Sequence, residues 1–449
     1  MATTLANAAS SPVRADFVPK TDYTCREFAR AEKEKLWPKV WQVACREQEL
    51  ARVGDYVTYD ICDQSIIVVR SAPDRIQAYY NVCMHRGRRL TEGCGHATRF
   101  HCNYHGWRWN LDGSVQRILD EKDWVGCSGV SHDDFKLPEI KCDTWGGFVF
   151  INMDPDCEPL AAFLDPMPQF IDPFQLQTAK FRWSYSVRVP CNWKVALEAF
   201  DEGYHVAATH PQLLDGFGED YTFSKAMGKH GMFGYDKSTR PFGAPSPRLS
   251  KPVPDDLRPG MIGYIHLIND TLHAITTEKD AAAATRLMAE ANATDTPLEL
   301  GVKLLKFQEE AVRAAGAPWP EMSLEQRGAA GTDWHVFPNL IFLPSGTGTL
   351  CYRSRPWGDG TDPDWCVYDI WSLEQYAPGA EPPIHHNVVY SEDGWRAIGD
   401  VSVILEQDFT NMEQVQRGMK QTGFPGNRTN PVQEVAISNM HRVLHEYVS

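Results

Sequence analysis

The stretch CMHRGRRLTEGCGHATRFHCNYHGW, residues 83–107, decides how this chain is read. It contains a C-x-H pair, Cys83 and His85, and a C-x-x-H pair, Cys102 and His105, with sixteen residues between His85 and Cys102. Two thiolates and two imidazoles on paired short loops can bind zinc, or a two-iron cluster with both thiolates on one iron and both imidazoles on the other. Zinc sites of this composition usually keep like ligands together, Cys with Cys and His with His. In this stretch each loop carries one of each, the arrangement a Rieske [2Fe–2S] centre needs; zinc remains the alternative. Arg86-Gly87 and Gly106-Trp107 follow the two pairs, and glycine lets backbone come close to inorganic sulfide. Arg86, Tyr104 and Trp107 are expected to pack or hydrogen-bond around the centre. Cys94, between the pairs, reads as a small loop residue, with a spare thiolate as the alternative.

Outward from this stretch the pattern is short and β-rich. Apolar runs at residues 40–44, 56–61, 65–69 and 76–80 are separated by Gly54-Asp55 and Pro73-Asp74 turns. Residues 107–111 and 114–117 form a hairpin around Asp112-Gly113, and residues 145–152 (WGGFVFIN) a further strand. Residues 38–155 are therefore expected to be a small all-β domain. Before it, residues 1–20 look loosely tethered, and 21–37 form a helix that Pro38 stops and that packs on the second domain.

At 449 residues the chain is too long for one ordinary core, so two domains are expected. Residues 156–449 mix strand candidates (183–189, 335–344, 349–356, 365–373) with helical ones (192–205, 279–293, 298–315 and part of 388–415). This predicts an antiparallel sheet surrounded by helices, and an α+β chain as a whole. The excursion from 213 to 320 is long enough to cover a site. The net charge of −15, from 44 basic and 59 acidic residues, argues against a nucleic-acid partner. No apolar run is long enough for a membrane span, and the N-terminus has no secretory pattern. The twelve cysteines are scattered, which fits reduced thiols in the cytoplasm.

A second metal site is suggested by NWKVALEAFDEGYHVAATHP, residues 192–211, with His205 and His210 as candidate ligands. Five residues apart, they do not share a helix face, so the helix must end or distort between them. A mononuclear Fe(II) triad needs two imidazoles and one carboxylate with positions left open for oxygen. The stretch ILEQDFTNMEQVQRGM offers Glu406, Asp408 and Glu413.

Taken together, C-x-H…C-x-x-H, HRG after His85, YHGW at His105 and NWK…E…YH-x4-H make the chain resemble the large (α) subunit of Rieske non-haem iron ring-hydroxylating oxygenases over nearly its whole length. The resemblance implies a [2Fe–2S] domain followed by a mononuclear iron domain, and a homotrimer in which one subunit's cluster feeds the next subunit's iron. A small β subunit can join such trimers. It assigns the bridge between the centres to the acid three residues before His205, which is Glu202 where the family has Asp; Asp201 is the runner-up. It places the third iron ligand at Asp408, three residues before Asn411-Met412, with Glu406 as runner-up. Glu198 then supports the helix or the bridging network, and Ala199 departs from the Asn common in the family.

The implied activity is that of a terminal oxygenase that uses O2 to hydroxylate a small hydrophobic, aromatic substrate, by cis-dihydroxylation or monohydroxylation. Phe200, Phe217, Phe337, Leu340, Phe342 and Leu343 are candidates for its pocket. No G-x-G-x-x-G opens a βα unit, so electrons from NAD(P)H must arrive through a separate reductase, with or without a ferredoxin. The alternative is a monooxygenase that demethylates or oxidises a non-aromatic substrate such as a quaternary amine, with which Glu202 at the bridge is compatible. A third reading is an electron-transfer or zinc protein without oxygenase activity.

Overall fold

The computed structural model describes residues 13–127, 131–236, 239–399 and 402–449. The chain divides into two compact units. One comprises residues 31–163 with 358–361; the other comprises the N-terminal residues through Arg30, residues 164–357 and residues 362–449.

In the smaller unit, strands Gln42–Arg46, Phe148–Asn152, Glu139–Trp145, Arg75–Tyr80, Gln64–Ala72, Asp55–Ile61 and Cys94–His96 lie side by side in that order. A second small sheet pairs Phe100–His101, Arg108–Trp109 and Val115–Arg117. The Asp112-Gly113 turn forms as expected, with Gly113 at φ 79° and Asp112 Oδ1 accepting the Ser114 N–H at 3.0 Å. The expected strand at 145–152 is instead a hairpin. Gly146 and Gly147 take φ of 59° and 78°, so the Gly-Gly pair is its two-residue turn. The helix expected over 21–37 is three pieces, Thr21–Thr24, Arg26–Ala31 and a π-helical Glu32–Leu36, and residues from Ala31 onward belong to the smaller unit.

In the larger unit an eight-stranded sheet runs Thr222–Met227, His230–Tyr235, Asp333–Val336, Leu340–Pro344, Gly348–Pro356, Cys366–Glu374, Lys180–Val189 and His386–Val389. All its pairings are antiparallel except the last. The strand expected over 335–344 is a hairpin turned by Pro338-Asn339, since proline cannot donate to a ladder. Helices Arg258–Leu272, Glu278–Thr285 and Pro297–Ala314 pack on one another through Met261, Ile265, Ala283, Leu300 and Leu304. Arg258–Leu272 was not anticipated because Pro259, Gly260 and Gly263 depress its helical pattern. At Gly260 a Cβ would collide with the backbone of Gly243, so close packing accounts for that glycine. Helix Val403–Met419 buries Leu405, Asp408, Phe409, Met412 and Gln416 along one stripe. Residues 400–401, within the expected helical segment 388–415, lie outside the described residues, as do residues 1–12 of the tail. Val18–Pro19, expected to be loose, pair with Gly426–Asn427.

A buried polar network ties the N-terminus to the last helix, Val435–Val448. Glu198 accepts hydrogen bonds from Tyr23 Oη at 2.8 Å and His441 Nε2 at 2.7 Å. His441 Nδ1 and His445 Nε2 both reach Asp22 Oδ2, at 2.9 and 2.8 Å. Burial disfavours a charged His441, but the bonds to Asp22 and Glu198 outweigh it and push the imidazole up to about 9. Burial likewise works against the Asp22 carboxylate, yet the two histidines draw it down to about 2. The His441 contribution to stability is therefore complete below its unfolded value of about 6.5 and is lost as pH rises through about 9. The Asp22 contribution is complete above its unfolded value of about 3.9 and is lost only as pH falls through about 2. Thermal denaturation from pH 6.5 to 9.5 should show the melting temperature falling with pH. His441→Gln should flatten that slope and cost about 3–5 kcal/mol by leaving buried carboxylates unpaired; an unchanged slope would refute the assignment.

Candidate metal centres and substrate cavity

Two loops in the smaller unit close in the same way. Cys83 N–H donates to Arg88 O at 2.8 Å while Gly87 N–H donates to Cys83 O at 2.9 Å. Cys102 N–H donates to Trp107 O at 2.9 Å while Gly106 N–H donates to Cys102 O at 3.0 Å. Gly87 and Gly106 have φ of 74° and 75°, and beyond the flanking residues no atom of the described residues lies within 4 Å of a Cβ placed on either. Left-handed backbone, rather than crowding by the protein, is the reason the structure gives for glycine at both positions. Cys83 and Cys102 are buried in one core with Trp107 and Trp109. The His85 and His105 rings are 4.5 Å apart, and His85 stacks on Trp107 at 4.9 Å. Arg86 lies over the Tyr104 ring, which contacts His105.

Nδ1 of His85 and Nδ1 of His105 are buried with no hydrogen-bond partner among the described residues. Burial opposes a thiolate at Cys102, but backbone N–H groups of Tyr104 and His105 outweigh it and lower that thiol. Two buried thiols beside two unpartnered imidazole nitrogens fit a mixed-ligand two-iron cluster. Cys94 lies exposed on the edge strand Cys94–His96.

The second set of ligand types is built by the larger unit. Asn192 caps the helix Trp193–Glu198, its side chain accepting the Lys194 N–H at 3.0 Å. The helix ends at Glu198, earlier than expected, and a short helix Val206–Thr209 separates His205 from His210. Glu202 holds the start of the second helix: Oε2 accepts the His205 backbone N–H at 3.0 Å and Oε1 accepts Nδ1–H of the same residue at 2.7 Å. His205 Nε2 is thereby turned toward Asp408 Oδ1, 3.7 Å away. His210 Nδ1 donates to Gln407 Oε1 at 2.7 Å, which turns its Nε2 to within 3.0 Å of the same Asp408 oxygen.

One ligand atom from each of His205, His210 and Asp408 lies within 4.8 Å of the others, and Asp408 Oδ2 is buried with no hydrogen-bond partner among the described residues. Two neutral imidazoles and one carboxylate are a donor set suited to mononuclear Fe(II). Without a metal, burial would lower His205, but the charge and hydrogen bond of Glu202 raise it to about 9. Asp201 points elsewhere: it is fully buried, 3.8 Å from His335 Nδ1, and neither of its oxygens has a hydrogen-bond partner among the described residues. Glu406 is exposed on the opposite side of its helix, and Glu413 pairs with Arg396 and Arg417.

Glu202, His205 and Asp408 line two spaces. One is a cleft of about 690 Å³ that also touches Asn411, Arg428 and Glu434. The other is a cavity of about 210 Å³ with walls that include Phe200, Phe217, Phe233, Tyr235, Tyr264 and Tyr352. Of the pocket residues expected from sequence, Phe200, Phe217 and Leu343 line the cavity. Phe337, Leu340 and Phe342 are buried but do not line it, because strand alternation directs Leu340 and Phe342 to the opposite face from Leu343. The unanticipated lining residues Phe233, Tyr235, Asp333 and Tyr352 sit on strands whose alternation could have marked one shared face. Tyr264 sits on the helix that glycine and proline obscured.

Residues 40–127 match the Rieske [2Fe-2S] domain, and residues 176–260 with 273–449 match the ring hydroxylating alpha subunit (catalytic domain). The chain belongs to the family of ring-hydroxylating oxygenase alpha subunits. Its relatives include the carnitine monooxygenase oxygenase subunit of Escherichia coli (strain K12), 32% identical over 46% of this chain and 56% of that protein. The glycine betaine monooxygenase oxygenase subunit of Pseudomonas aeruginosa is 28% identical over 44% of this chain and 45% of that protein. Benzene 1,2-dioxygenase subunit alpha of Pseudomonas putida is 27% identical over the same shares, 44% and 45%. These matches span about half the length of each relative.

The fold is similar to the quaternary ammonium Rieske monooxygenase CntA in complex with substrate L-carnitine (TM-score 0.64, 19% identity, 98% of this chain and 99% of that one). It is also similar to naphthalene 1,2-dioxygenase from Rhodococcus sp. bound to indole (TM-score 0.61, 18% identity, 96% and 94%). No helix among the described residues is long and apolar enough to cross a membrane.

Two outcomes test the ligand sets. His205→Ala or Asp408→Ala should lower iron by about one per chain and leave about two acid-labile sulfides, whereas Cys102→Ala should remove the sulfide. Glu202→Gln should weaken Fe(II) binding about 10–100-fold in an equilibrium titration, because the support that orients His205 is lost. Wild-type affinity in that variant would separate the carboxylate from the site.

Proposed function

We propose that this chain is the terminal oxygenase of a multicomponent system that monooxygenates a small alkylated amine, with Cys83, His85, Cys102 and His105 holding the [2Fe–2S] cluster. His205, His210 and Asp408 hold mononuclear iron, and the convergence of these three side chains in the wall of a largely apolar cavity is the observation that carries the reading. The bound metals supply electron storage and O2 activation. The protein's own part is positioning and exclusion. Glu202 keeps the proton of His205 on Nδ1, and Gln407 does the same for His210, so both Nε2 atoms stay available as ligands. The aromatic walls exclude water and seat the substrate beside the triad.

The monooxygenase relatives that act on carnitine and glycine betaine, together with Glu202 at the position where the resemblance leads one to expect Asp, favour an amine over the aromatic substrate. Electrons come from NAD(P)H through a separate reductase, with or without a ferredoxin. The assembly is a homotrimer, in which Glu202, facing the larger cleft, accepts a hydrogen bond from a cluster histidine of a neighbouring copy. The cytoplasm suits a chain in which none of the twelve cysteines forms a disulfide and ten stand outside the cluster as thiols.

With NADH alone the purified chain should give no turnover; with a reductase and 18O2, an alkylammonium substrate should yield product carrying one labelled oxygen before any C–N cleavage. A cis-diol formed from an aromatic hydrocarbon, with alkylammonium compounds inert, would move the assignment to the aromatic reading.

A further inference from the structure

Asp333 opens the strand Asp333–Val336 in register with Phe233, a residue of the cavity wall. It shares that face of the sheet, lines the cavity itself and is fully buried. Neither of its carboxyl oxygens has a hydrogen-bond partner among the described residues. Burying an unpaired carboxyl group in an apolar wall is costly, and such groups persist where a ligand completes them. His335, the next residue on the same face, does not offset the charge. Burial drives its imidazole down to about 3, and its Nε2–H is committed to Pro338 O at 3.2 Å. No lysine or arginine is among the described residues that line the cavity, and the other acids there are Glu202 and Asp408. The same cavity is lined by Phe217, Phe233, Tyr235, Tyr264 and Tyr352, aromatic rings whose faces attract cations.

We infer that Asp333 is the specificity-determining anchor for the positive charge of the substrate, and that the cavity takes small tertiary or quaternary ammonium monocations in preference to betaines that also carry a carboxylate. The inference rests on the amine reading above and assigns that reading's charge recognition to one side chain. Glu202 and Asp408 are committed to His205 and the metal, which leaves Asp333 as the cavity's uncommitted acid, and no lysine or arginine among the described lining residues is there to meet a ligand carboxylate. Asp333 lines the same cavity of about 210 Å³ as His205, His210 and Asp408.

The titratable groups around Asp333 are Asp201, His335, Tyr235, Tyr352 and Tyr368. Burial, reinforced by Asp201, holds the Asp333 carboxyl well above the usual carboxylate range. An arriving cation therefore ionises it, and binding releases a proton.

The test is isothermal titration of the full-length, metal-loaded protein with choline, with its uncharged carbon isostere 3,3-dimethylbutan-1-ol, and with glycine betaine. Wild type should bind choline at least about tenfold more tightly than either of the others. The heat of choline binding should vary with the ionisation enthalpy of the buffer. Asp333→Asn should weaken choline by roughly 30-fold or more while leaving the neutral isostere unchanged, which also reports an intact cavity. Choline bound equally by wild type and Asp333→Asn would overturn the anchor and leave the amine reading standing. Glycine betaine bound more tightly than choline would overturn the preference for monocations. A wild-type protein that favours the isostere over choline would sink both the inference and the amine reading.

Discussion

The hydrogen bonds between Glu202 and His205 are the constraint on which the larger unit's chemistry depends. One carboxylate satisfies the backbone N–H and the ring Nδ1–H of the same residue. The first contact starts a new turn of helix after the chain has left Trp193–Glu198. The second selects the tautomer, so that Nε2 is the atom presented inward. Gln407 repeats the device on His210 from a helix nearly two hundred residues away in sequence, and the next residue on that helix is Asp408. Adjacent positions on Val403–Met419 thus orient one imidazole and provide the carboxylate that faces both.

Buried acids in this unit fall into two kinds. Glu198 and Asp22 are satisfied by Tyr23, His441 and His445, and they knit the N-terminal segment to the last helix. Asp201 and Asp333 are enclosed just as fully, but their oxygens have no partner among the described residues. The first kind spends its charge on architecture. Asp333 stands beside the cavity, where an unmet polar group costs most and discriminates best.

What could be read from sequence follows from how local each feature is. Both cluster loops are complete within 25 residues, so the spacing of Cys83, His85, Cys102 and His105 and the glycines behind them expose the motif without tertiary knowledge. His205 and His210 were visible for the same reason, whereas Asp408 needed the family resemblance because the fold alone brings it near them. The Gly146-Gly147 and Pro338-Asn339 turns were absorbed into strands because the apolar runs on either side outweighed two residues of turn chemistry. Arg258–Leu272 was hidden by Pro259, Gly260 and Gly263, of which Gly260 serves packing against Gly243. Asp333 could not have been singled out, because its significance lies in what it lacks, and a missing partner leaves no trace in a linear pattern.

Ala199, Glu202, His205 and Asp408 border the cleft on one side and the cavity on the other, so a partition one residue thick separates the two spaces. The same imidazole, His205, therefore lines both spaces. Thermodynamic reciprocity then applies: if a guest in one chamber stiffens the partition and changes affinity in the other by some factor, the second guest must return that factor unchanged. The wall that keeps the chambers apart is also what lets each register the state of the other.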